Sequence, residues 1–162
     1  MDELYSMNTL MRQLLSHLMS AVEHADLYDQ VGEAGNSPGW IVGHLVVVNQ
    51  LGMQMLGGEG PSKQDLLMFG PGSSGKPEPD IRPSKDELLA REETTATELR
   101  AAIQNAGNEV LLAPQPSQVL KERFPLVKDM LGHMLVSHLS LHVGQLSTWR
   151  RAKGFPSILQ LP

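Results

Sequence analysis

Apolar residues recur at steps of three and four in four stretches of the chain, and each stretch reads as one amphipathic helix. In the first, from about Asp2 to Tyr28, Met7, Leu14, Ala21 and Tyr28 repeat every seven residues, flanked by Leu10, Met11, Leu18 and Ala25. His17 and His24 fall on the edge of that stripe and read as half-exposed helix histidines. The second stretch opens at Ser37-Pro38, an N-cap followed by proline at the first helical position, and runs to about Leu56. Its stripe is Ile41, His44, Leu45, Val48, Leu51 and Met55, so His44 stands among apolar neighbours. The third opens on Ser84-Lys85-Asp86-Glu87, a capping box, and runs to about Asn105, with Gly107 as its stop. Leu88, Ala96, Leu99 and Ile103 give it a thin apolar face, while Glu92, Glu93 and Glu98 read as solvated. The fourth, from near Pro125 to near Lys153, is the longest and most apolar. Its stripe runs Leu131, Leu135, His138, His142, Gln145, Leu146 and Trp149.

No stretch alternates as a strand would, so the pattern predicts an all-α fold, a four-helix bundle forming a single domain over residues 1–162. Antiparallel neighbours need only short loops. Residues 57–83, rich in Gly and Pro, make a much longer link, with room for a short helical turn over 62–69. This predicts a long crossover between helices 2 and 3, with those two helices running in the same direction. A connection of that length acts as a lid, a dimer element or a mobile segment. A second irregular connection spans 108–124.

Composition narrows the partners. With 41% hydrophobic and 19% charged residues, the 162-residue chain has an ordinary globular balance. A net charge of −5 predicts no nucleic acid and no anionic membrane as partner. Arg150, Arg151 and Lys153 read as cations complementing a helix C-terminus. The absence of cysteine excludes disulfides, thiolate metal sites and a cysteine nucleophile. No apolar run approaches the roughly 20 residues of a membrane span, and the first residues lack a secretory pattern. The expectation is a soluble, cytoplasmic protein.

The candidate chemistry lies in the histidines. His138 and His142 are four apart, so on a helix they stand on one face, one above the other. His44 is the best third partner. His133 precedes His138 by five residues, some 140° around an α-helix, and is left out of the site. Three imidazoles suit zinc, nickel, iron, copper or cobalt, and three protein ligands leave coordination positions open. The alternative is a set of core histidines satisfied by hydrogen bonds. No convincing general base accompanies them, since Asp129 and Glu23 read as surface charges.

The segments Pro38-Gly39-Trp40-Ile41-Val42-Gly43-His44-Leu45-Val46 and Met130 to Leu146, with its His138-x-x-x-His142-x-Gly144-Gln145 core, resemble the DinB-like (YfiT-like) superfamily. The ending Arg150-Arg151-Ala152-Lys153-Gly154-Phe155-Pro156 resembles that family's as well. The resemblance implies a bundle of up-down-down-up order, often a homodimer. It also implies a divalent transition metal, nickel or zinc, on the positions matching His44, His138 and His142. Gln145 matches the family's glutamine and is expected to support the site or the packing around it. Characterised relatives include thiol-dependent transferases and isomerases. The expectation is therefore a metal-dependent thiol S-transferase acting on a small electrophile. The alternatives are a metal-dependent hydrolase and a non-catalytic metal- or ligand-binding stress protein.

Overall fold

In the computed structural model, which describes residues 2–32, 35–75, 77–118 and 120–157, the chain is all-helical, with no strand among the described residues. The helices are α1 (Asp2–Ser20), α2 (Pro38–Met55), α3 (Lys63–Phe69), α4 (Lys85–Asn105), α5 (Asn108–Leu111), α6 (Val127–Gly132) and α7 (Leu139–Ala152). A π-helical turn over His133–His138 joins α6 to α7 without a break.

The local signals act where they were read. Ser37 accepts the Trp40 amide and Pro38 opens α2. Ser84 and Glu87 close their capping box on α4. Ser62 caps α3 by accepting the Asp65 amide.

Helix α2 is the central element: every residue from Pro38 to Val48 is buried. It packs on α3, α4 and α7, and α1 packs on α7 and the π-helical turn. Along α1 and the last helix, contacting residue numbers rise together: Asn8 donates to the Leu135 carbonyl and Arg150 donates to the Leu18 carbonyl. They also rise together along α2 and α4, where Asn49 meets Thr95 and Gly52 meets Leu99. Between α1 and α4 they run oppositely: Arg100 lies over the Tyr5 ring, Arg12 pairs with Glu92, and Lys85 donates to the Val22 carbonyl.

Four expectations need correction. Helix α1 ends at Ser20 rather than near Tyr28, because the chain turns to bury both Val22 and Leu27. Its buried face is Tyr5, Asn8, Leu15, Leu18 and Met19, while Met7 and Leu10 are 51% and 53% exposed. The face is rotated because two polar residues find partners inside it. Asn8 donates to Leu135, and Arg12 pairs with Glu92 at 3.1 Å and Glu93 at 2.9 Å. Glu92 is accordingly buried and not part of a solvated face. Arg150 is buried too, holding the end of α1 through Leu18 instead of its own helix terminus. Lys153 bridges Asp26 and Asp29.

Candidate metal centre

Two elements bring the histidines together. His44 comes from the buried face of α2; His138 ends the π-helical turn and His142 lies one turn into α7. The Nε2 atom of His138 lies 3.3 Å from Nε2 of His44 and 3.3 Å from Nε2 of His142. Nitrogens sharing one tetrahedral ion at about 2.0–2.1 Å stand about 3.3 Å apart. One potential ligand atom from each of the three residues lies within 4.8 Å of the others.

Two of the rings are fixed in the orientation that a ligand needs. His44 Nδ1 lies 2.7 Å from the Phe69 carbonyl, which only accepts, so Nδ1 donates and Nε2 keeps its lone pair. His142 Nδ1 lies 3.0 Å from Gln145 Oε1, which also accepts from Asn36 Nδ2 at 3.2 Å. Gln145 thus bonds directly to one of the three histidines. His138 Nδ1 is buried without a hydrogen-bond partner among the described residues. The rings are further held by stacking of Trp40 on His44, with centroids 4.6 Å apart and planes 8° apart.

Charge is kept off all three rings. Burial pushes His138 down to about 3, reinforced by His142, His44 and His133. Burial and then His44 push His142 down to about 4, against the opposing bond to Gln145. Burial lowers His44 as well, opposed by the bond to Phe69. Neutral imidazoles with free, converging Nε2 atoms are the donor state that a divalent transition ion takes up. The residues fit such an ion.

The short helix α3, within the long connection over residues 57–83, is what fixes His44. Phe69 ends α3 and lies against Gly43, where an added Cβ would meet the Phe69 ring at 2.5 Å. Glycine at position 43 therefore lets the Phe69 carbonyl reach the next residue's imidazole. In the same connection, Ser73 Oγ accepts from Trp40 Nε1 at 2.8 Å.

His133 is not among the three histidines that could share an ion, yet it lies closer to them than an α-helix would place it. In a π-helical turn the hydrogen bonds run from i to i+5. Residues five apart then stack much as residues four apart do in an α-helix. The ring of His133 consequently meets that of His138 edge-on at 5.7 Å, and His133 shares a cavity wall with His44 and His138. The 140° offset between His133 and His138 would hold only in an uninterrupted α-helix. His17 and His24 are exposed and stand outside the cluster.

No curated protein matches the chain. The family model of the DinB superfamily matches residues 7–146, a span that includes all three histidines and the π-helical turn. The chain belongs to the DinB superfamily.

Proposed function

We propose that this protein is a metal-dependent enzyme that joins a low-molecular-weight thiol to a small electrophile, with a divalent ion, nickel or zinc, on His44, His138 and His142. Bound there, the ion would lower the pKa of a thiol in an open coordination position, so that the nucleophilic thiolate is present at neutral pH. The chain's own residues prepare the site. Phe69 and Gln145 set the tautomers of His44 and His142, burial keeps the rings uncharged, and apolar walls limit water.

The observation that carries the reading is that no Asp or Glu is among the described residues lining the cavity beside the triad. Hydrolysis of a difficult bond commonly recruits a general base, an imidazole or a carboxylate, to take the proton of the attacking water. A thiol, with an ordinary pKa of about 8.5 against about 15.7 for water, asks far less of the protein. Metal-dependent hydrolysis is the second reading, and His133, an imidazole beside His138, is the observation in its favour.

A four-helix bundle in up-down-down-up order belongs to the same reading, with residues 57–83 crossing between α2 and α4. Its support is the sense of the contacts: rising together for α1 with α7 and for α2 with α4, and opposed for α1 with α4.

A panel of thiols with a chromogenic aryl halide, run beside a panel of nitrophenyl esters, tests the function. Metal-dependent thiol conjugation is the expected result. Metal-dependent ester cleavage without thiol would favour the hydrolase. Neither activity in fully metallated protein would favour a binding protein.

A further inference from the structure

The cavity beside the triad has a volume of about 520 Å³, inside the range of about 300–1,000 Å³ typical of small-molecule sites. Its walls are largely aliphatic, with Val48, Leu51, Leu120 and three methionines, Met55, Met130 and Met134. Flexible thioethers let such a wall adapt to different apolar shapes. No Asp, Glu, Lys or Arg is among the described residues lining it. A charged group entering would lose hydration without gaining a protein counter-charge.

Two residues are set on this cavity in ways that packing of the core does not require. Leu120 is 43% exposed, and its backbone is left-handed at φ 55. That conformation is uncommon for residues other than glycine, and strain of this kind gathers at ligand sites. His133 is held rigidly from two sides: its Nδ1 lies 2.7 Å from Ser137 Oγ, and its ring stacks on Phe124 at 4.6 Å. With Nδ1 committed, Nε2 is the nitrogen available to a ligand.

We propose that the cavity takes a largely apolar, uncharged small molecule whose one polar atom is held by His133 Nε2 beside the triad. This names the class of the electrophilic substrate and rests on the metal-enzyme reading for its role. Its binding follows from the cavity itself, so the two claims fail separately.

The test is calorimetric titration of the full chain, as purified and again after chelation, with 1-butanol, 1-hexanol, 1-octanol, octanoate and octylammonium. Affinity for the alcohols should rise about three- to fourfold per added methylene in both forms. Octanoate and octylammonium should bind the chelated protein at least tenfold more weakly than octanol does. Leu120→Asn, which suits a left-handed backbone and lies at an exposed position, should weaken octanol several-fold without lowering Tm. His133→Phe should weaken octanol by about three- to tenfold while preserving the slope per methylene. A missing slope in either form would overturn the proposal. So would charged heads binding the chelated protein as well as the alcohol, or octanol affinity unchanged in both variants.

Discussion

The carbonyl of Phe69 accepts the Nδ1–H of His44 at 2.7 Å, and it can do so because position 43 carries no side chain. One glycine therefore links a short helix in a long connection to the tautomer of a candidate metal ligand. Gly43→Ala should displace Phe69, costing about 1–3 kcal/mol of stability and lowering metal affinity about tenfold or more. Gly144→Ala is the matched control, since an added Cβ there meets nothing within 4 Å. It should leave metal affinity unchanged and raise stability by about 0.5–1 kcal/mol. Chemical denaturation and competitive metal titration read both variants.

Gln145 fixes the other end of the triad by accepting from His142 Nδ1 at 3.0 Å. Gln145→Leu keeps the volume but removes that acceptor. Metal affinity should fall about 10- to 100-fold, the usual penalty for losing such an outer contact. An unchanged affinity would assign Gln145 to packing alone.

The depressed values of His138, about 3, and His142, about 4, predict a pH dependence in metal-free protein. In the unfolded chain both rings take up protons near pH 6.5, whereas in the folded chain they remain neutral to well below pH 5. The unfolded state therefore binds more protons across this window, so stability rises with pH through it. Stability should be level above about pH 7 and fall as the pH drops through about 6.5 toward 4. Denaturation midpoints from pH 8 to pH 4.5 provide the check. His138→Phe should flatten the slope. A wild-type curve that stays level to pH 4.5 would mean that the rings are not held neutral.

Arg12 and Glu92 form the most buried ion pair among the described residues, with side chains 17% and 8% exposed. Burial raises the carboxyl pKa of Glu92, an effect that Arg12 opposes. Arg12→Ala strands that carboxylate and should cost about 3 kcal/mol in thermal or urea unfolding. Adding Glu92→Leu to Arg12→Ala should restore much of the loss, because an apolar pair needs no counter-charge. Equal losses in the single and double variants would show that the pair matters only through packing.

What was legible in the sequence follows from how local each signal is. The caps at Ser37 and Ser84 act through hydrogen bonds spanning three residues, and both are present. The convergence of His44, His138 and His142 needed only that each lie on a buried face, which spacing reveals. Two features depended on partners far along the chain. The rotation of α1 follows from Asn8 meeting Leu135 and Arg12 meeting Glu92, neither visible as hydrophobicity. Phe69 reaches His44 across 25 positions through a backbone atom, for which side-chain identity gives no cue. The place of His133 was misread because a π-helical turn changes the angular step per residue, and nothing in His133–His138 departs from an α-helical composition.

The claim on which the rest depends is that the triad holds one divalent transition ion. Its most direct test is elemental analysis of untagged protein, purified without chelator or nickel resin, beside His142→Ala prepared identically. Wild type should carry about one nickel or zinc per chain, and His142→Ala should lose it while keeping its helical circular dichroism. A wild type without metal that takes up none on dialysis, or a folded His142→Ala that keeps its full complement, would contradict the claim.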